Sequence, residues 1–167
     1  VSTSPEQKTL GNDSPSIIYK NATIKMLADY SLRARVLATE KYWLGESAKI
    51  VPIDVAVGWK EMSDSAVIDK LKISQDGRFY HYSWQDKDFA DSSIISKNSA
   101  NMHLISSTPE IEVKIENLRK GHIVKLIGQL VRVNFRNGEE MKSSLSRDDG
   151  GGGACEVMWV TSLEVED

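Results

Sequence analysis

The order of apolar and polar positions along the chain reads mainly as β-strand. Residues 30–36 alternate, with Tyr30, Leu32, Ala34 and Val36 on one side and Arg33 and Arg35 on the other, the period-2 pattern of a half-buried strand. Residues 50–57 form a β-branched run that leads into Gly58 and Trp59, and Pro52 sets its beginning near a sheet edge. Residues 78–84 place aromatics around His81, which suits another half-buried strand. Residues 123–135 are the strongest β segment, and Gly128 in its middle predicts a bulge or sharp bend that curls a sheet toward a barrel. Residues 136–139 (Arg-Asn-Gly-Glu) predict a hairpin turn, since Asn-Gly takes up positive φ readily. A return strand then falls at 141–146, and residues 155–160 close the domain as a central strand.

Two short helices interrupt this pattern. Residues 63–71 offer Ser63 as an N-cap, with Val67, Ile68 and Leu71 as the apolar positions. In 108–118, Thr108 caps, Pro109 takes the first helical position, and Ile111, Ile115 and Leu118 share one helical face. Ile111, Val113 and Ile115 also alternate, so a strand competes there. The fold expected is mainly β, with roughly five to seven strands around a small closed or partly closed barrel, OB-like, and one or two short helices. A β-sandwich is the alternative.

Composition narrows the classes. The chain has 167 residues, 40% of them hydrophobic, and a single cysteine, Cys155. One cysteine excludes an internal disulfide framework, and with three histidines it excludes a thiolate-rich zinc site. No H-x-H, H-E-x-x-H or EF-hand spacing occurs, so no metal or other cofactor is expected. No apolar run approaches the roughly 18 residues of a membrane span. Residues 1–16 are rich in Ser, Thr, Pro, Gly, Asn and Asp and read as a mobile arm or linker, leaving 17–167 as a single β-rich domain. A polar start at Val1 fits a tether after a removed signal peptide or a membrane anchor, or a trimming point.

The net charge of −3 conceals an uneven distribution. Residues 1–109 hold 13 basic and 13 acidic side chains, residues 110–147 are net +3, and residues 148–167 are net −6. The pattern predicts a tail that folds back on the basic strands. It argues against generic nucleic-acid binding, which needs many cationic contacts to phosphate. Trp43, Trp59, Trp84 and Trp159 could form a stacking platform on an OB-type barrel, though most such residues serve as packing.

Candidate chemistry concentrates in two places. Cys155 with His103 is the thiol–imidazole pair of interest, a possible nucleophile and base; a buried, inert thiol is the commoner role. Residues 143–156 (SSLSRDDGGGGACE) hold four consecutive glycines, whose N–H groups can form an anion-binding nest. Arg147, Asp149, Gly151, Gly153 and Glu156 are the ligand-binding candidates there. The competing reading is a hairpin connection that Arg147 and Asp149 pin by local hydrogen bonds.

The string Ser143-Ser144, Arg147, Asp149, Gly151, Gly153-Ala154-Cys155-Glu156 resembles the C-terminal signature of an uncharacterised family of small bacterial proteins, secreted or membrane-tethered. Upstream, Asp54 with Val57-Gly58-Trp59, Asn101 with His103-Leu104-Ile105, and Gly121, Val124, Gly128 and Leu130-Val131 extend the likeness over most of residues 30–162. His122 departs from it, standing where an acidic residue is expected. The resemblance implies a bacterial cell-envelope location, periplasmic or membrane-tethered, more than any activity. Three functions stay open. The first is a non-enzymatic extracytoplasmic interaction or structural domain with a protein or small ligand as partner. The others are an OB-type ligand-binding module and a Cys-dependent hydrolase or transferase.

Overall fold

The computed structural model describes residues 1–85, 92–146 and 155–166. Among these residues ten strands run in the order β1 (Glu6–Thr9), β2 (Ser16–Tyr19), β3 (Ala22–Lys41), β4 (Ile53–Gly58), β5 (Lys72–Asp76), β6 (Phe79–Ser83), β7 (Ser99–Ser106), β8 (Ile123–Phe135), β9 (Glu140–Lys142) and β10 (Glu156–Glu166). The helices are α1 (Glu46–Ile50), α2 (Ser65–Ile68), α3 (Ser92–Lys97) and α4 (Pro109–Glu116), with a 3-10 turn at Lys60–Ser63.

Strand β3 organises the sheet. One edge pairs antiparallel with β8 from Ala22 to Arg35. Its other edge takes up β2, β1 and β4 in succession. From β4 the ladder continues to β7, then through a parallel pair to β10, and from β10 back to β8. The β3–β8 pairing therefore closes a ring of five strands, β3–β4–β7–β10–β8. This connectivity, with α4 between the third and fourth ring strands, is that of a partly closed OB-type barrel. The closing pair excludes the sandwich alternative, whose two sheets would stay separate.

Alternation along each ring strand fills the interior. Tyr30, Leu32, Ala34 and Val36 meet Val55, Val57, Met102, Leu104, Leu126, Leu130, Met158 and Val160 in one cluster. Ile111 and Ile115 of helix α4, with Leu118 just after it, join this cluster. Thr108 caps the helix, its Oγ1 accepting from the Ile111 N–H, and Pro109 follows, so helix wins over strand at 108–118. The Ile111/Ile115/Leu118 face had a barrel mouth to bury, which three alternating residues did not.

Several expectations shift. Ser63 does not cap a helix over 63–71. A 3-10 turn ends there, and Asp64 caps the shorter α2 by accepting from the Ala66 N–H. The β4 strand begins after Pro52, residues 46–50 being helical. The return strand is only β9, and residues 143–146 leave it. Within the 1–16 stretch read as an arm, β1 adds to β3. A bulge lies beside Gly128 on the partner strand, at the register shift in β10 between Val160 and Ser162, and a second, in β3 between Met26 and Ala28, lies opposite Leu130 and Val131. Gly128 instead allows a close approach. A Cβ there would stand 1.9 Å from the Trp159 carbonyl oxygen.

The acidic tail lies as the charge pattern predicted. β10 runs antiparallel to β8, with Glu164 opposite Lys125. Glu166 accepts from Arg33 Nε at 2.8 Å, which holds its carboxyl below the usual range.

Candidate functional site

On β4 and β7 the residues facing away from the barrel are polar as well as apolar: Asp54 and Ala56 on one strand, Asn101, His103 and Ile105 on the other. Asp54 and His103 are direct partners in the ladder. On the far side of β7, Val157 of β10 stands opposite His103, so alternation puts Cys155 on this same outer side. An open sheet would leave such groups to water. Here all of β4 and β7 is buried, because the β5–β6 hairpin lies across this side. Tyr80, Tyr82 and Trp84 pack with Leu37, Ala56, Met62, Ile68 and Ile95 beneath the root of the hairpin.

The tip is a two-residue turn between the paired residues Asp76 and Phe79. Gly77 and Arg78 both have positive φ, 54° and 70°, as a type I′ turn requires. This geometry delivers Arg78 to the polar residues below. Its NH1 donates to Asp54 Oδ1 at 2.8 Å, and NH2 lies 3.4 Å from Ser47 Oγ. The guanidinium carbon stacks 3.9 Å from the Tyr42 ring centroid, and the Arg78 N–H donates to the Tyr42 hydroxyl at 2.9 Å. The Arg78 carbonyl accepts from Asn101 Nδ2 at 3.2 Å and from the Cys155 thiol at 3.8 Å. Gln75 Nε2 donates to Asn101 Oδ1 at 2.7 Å.

Asp54 is the hub. Its side chain is 0% exposed against 18% for Arg78. His103 Nδ1 lies 2.7 Å from the same Oδ1 that Arg78 uses. Asp54 Oδ2 and Gln75 Oε1 are buried and have no hydrogen-bond partner among the described residues. Burying a carboxylate is costly unless its oxygens are satisfied, so this half-used Asp54 stands out.

Two tyrosines report the dryness of the region. Burial pushes the Tyr42 phenol up, against the Arg78 N–H bond that lowers it. Tyr80 donates to Ser99 Oγ, and burial pushes its phenol up to about 12. A phenol raised in the folded state binds its proton longer than in the unfolded chain. Its contribution to stability is complete below pH ~10 and is lost as pH rises toward 12. A Tyr80→Phe variant is therefore expected to lose about 2–3 kcal/mol less stability than the parent over that alkaline window, read by urea titration at fixed pH. Equal alkaline losses would contradict a buried Tyr80 hydroxyl.

The sequence candidates divide sharply. His103 and Cys155 do lie on one side of neighbouring strands, yet the His103 Nδ1 bond goes to Asp54 and the Cys155 thiol bond to the Arg78 carbonyl. Glu156 is buried and shares the barrel side with Met158 and Val160, away from that surface. Arg147, Asp149, Gly151 and Gly153 lie outside the described residues. His81 is exposed and bonded to Asp76, and His122 accepts from the Arg119 N–H. Asp54 and Asn101 stood in the sequence only as parts of a resemblance; Gln75 carried no signal, and Arg78 was read only as the start of the 78–84 strand, whereas it sits in the turn before β6. An aspartate inside an otherwise apolar, β-branched run was the available clue.

The four indoles do not form a platform. Trp59 is 1% exposed in the core, Trp159 packs edge-on to Tyr19, and Trp84 stacks on Tyr82. Trp43 is 81% exposed, beside exposed Leu44, on the β3–β4 connection that also carries Tyr42 and Ser47. Among the described residues no group of three His, Cys, Asp or Glu is arranged around a metal position, and no helix is long and apolar enough to cross a membrane.

Fold and site together define an OB-type barrel with a buried Asp–His–Arg cluster on the outside of its second and third ring strands. Comparisons of the chain with protein-family models, with curated proteins and with solved structures return no match.

Proposed function

We propose that this chain is a non-enzymatic, extracytoplasmic binding domain of a bacterial envelope protein, and that it takes a small ligand or partner group at the Asp54–His103 side of the barrel. One observation carries the reading: a fully buried aspartate with two partners, Arg78 and His103, on one oxygen and none on the other among the described residues. The barrel has no need of it for folding, since a buried ion pair is often no better for stability than apolar packing. It lies on the side of strands two and three, flanked by the loop after strand one, where OB-type barrels take their ligands. Exposed Trp43 and Leu44 on that flanking loop add an apolar rim. The envelope placement rests on the likeness of its C-terminal motif.

The test is a small panel of probes: methylguanidinium, butylammonium, acetate, inorganic phosphate and glucose. Each is titrated while the His103 imidazole signals are followed by NMR. At least one probe is expected to shift them saturably, and Asp54→Asn is expected to weaken that probe at least tenfold. A panel that leaves His103 unmoved in both the parent and an Arg78→Gly variant would refute the reading. Fractionation of cells making the full-length protein checks the envelope placement.

A second reading has its own support. Asp54 and His103 lie on adjacent strands and Cys155 immediately precedes the next, β10, in the order carboxylate, imidazole, thiol, the order used in thiol acyl transfer. Against it, the thiol donates to the Arg78 carbonyl. Hydrolysis of p-nitrophenyl acetate that disappears in Cys155→Ser would favour this enzyme reading over a binding domain.

A further inference from the structure

We infer that the β5–β6 hairpin is an openable cover over the Asp54–His103 surface, and that Arg78 is its latch, occupying in cis the carboxylate that a ligand's organic cation would take. The inference rests on the binding reading above and adds its regulation and ligand class.

Three features of the hairpin support it. First, it stands outside the ring. β5 and β6 pair only with each other, and among the described residues no backbone–backbone hydrogen bond ties them to β4, β7 or β10. Lifting it breaks no rung of the barrel. Second, its two ends are held differently. The root is bound by apolar packing of Ile73 and Tyr82, which face each other in the ladder, with Trp84 just beyond them. The tip is bound by polar contacts of Gln75 and Arg78 to Asn101, Asp54, Tyr42 and Ser47. Polar contacts exchange readily for water or for a competing ligand, whereas apolar packing does not, so the tip opens about a fixed root. Third, Arg78 occupies a φ of 70° at the second turn position, where a type I′ turn favours glycine. A Cβ is disfavoured there. Of the three non-glycine residues with positive φ among the described residues, Lys20, Lys60 and Arg78, Arg78 is the one whose side chain reaches a buried carboxylate, which points to a use for it.

The class of competitor follows from the acceptor. Arg78 engages only Oδ1 of Asp54 through NH1, leaving Oδ2 buried and unused. A guanidinium or primary ammonium that reached this carboxylate could engage both oxygens, with Gln75 Oε1 as a further acceptor. Such a group would displace the weaker, one-oxygen contact of Arg78. An anion would meet Asp54 with repulsion.

Cys155 supplies the reporter, because its Sγ lies against the Arg78 carbonyl. Labelling of the native protein by a neutral maleimide is followed at constant pH. Arg78→Gln is expected to label at least tenfold faster than the parent. Arg78→Gly, which also relieves the turn, should label as fast, and it keeps the test decisive should the glutamine variant fold poorly. Methylguanidinium at millimolar concentration is expected to speed labelling of the parent, acetate is not, and Asp54→Asn should abolish the methylguanidinium effect. Unchanged labelling in both Arg78 variants overturns the latch. If the NMR titration still finds a ligand there, binding survives without a latch; faster labelling with no probe bound would instead leave the latch and remove the binding reading. Acceleration by acetate instead of methylguanidinium overturns the cationic class.

Discussion

Gly128→Ala is expected to destabilise the domain by about 3 kcal/mol or more, the upper range for overpacking an interior site. The added Cβ would meet the Trp159 carbonyl oxygen at 1.9 Å and its carbon at 2.9 Å. Both are backbone atoms, so no rotamer change relieves the clash. Nor can β8 withdraw, because Gly128 pairs with Tyr30 on one side and Val160 on the other. Retreat on either side would open the ring. Urea unfolding followed by tryptophan fluorescence measures the loss. Gly138→Ala is the comparison: nothing lies within 4 Å of its Cβ position, and only its φ of 92° resists substitution, worth about 1 kcal/mol. Equal losses at the two glycines would show that close packing at the β8–β10 contact is not what Gly128 provides.

The second large effect is at Asp54. Its replacement by alanine leaves a mostly buried Arg78 guanidinium without its carboxylate and His103 without its partner. Breaking one side of a buried pair costs roughly 3–5 kcal/mol, about 10 °C in Tm for a domain of this size. Asp54→Asn keeps the shape and one acceptor oxygen and should lose less. The informative variant is the double one, Asp54→Ala with Arg78→Met, which removes both charges together. It is expected to recover most of the loss of Asp54→Ala alone, because the penalty belongs to the uncompensated cation. Thermal unfolding of the three variants measures this. Recovery in the double variant would mark the pair as dispensable for stability, in keeping with a functional Asp54. A double variant as unstable as Asp54→Ala would mean that the charges themselves hold the hairpin in place.

Much of the architecture was legible along the chain. Alternation at residues 30–36 and the long run at 123–135 placed β3 and β8, and the Thr108–Pro109 pair placed α4. Each rests on local rules: period, cap and propensity. Gly128 was read as a bulge or sharp bend; the ladder does bulge beside it, on β10, and the space that excludes a Cβ also belongs to β10, some thirty residues away. The helix read at 63–71 is present but shorter, Ser65–Ile68, because Lys60–Ser63 wind into a 3-10 turn and Asp64 rather than Ser63 supplies the cap.

The site was less legible. His103 and Cys155 were named for their chemistry, and they do share a surface, but their hydrogen-bond partners are Asp54 and the Arg78 carbonyl. Those partners are 49 and 77 residues away. The sequence by itself determined a β-rich chain, its strongest strands, the capped helix and the folding back of its acidic end, all consequences of neighbours along the backbone. Tertiary structure alone decided that β3 and β8 close a ring, that a two-residue turn brings Arg78 onto Asp54, and that a polar cluster is buried where a barrel needs none. The physical reason is that ring closure and buried charge both depend on contacts between residues far apart in the chain, and local pattern does not encode which distant partner a strand or a carboxylate will meet.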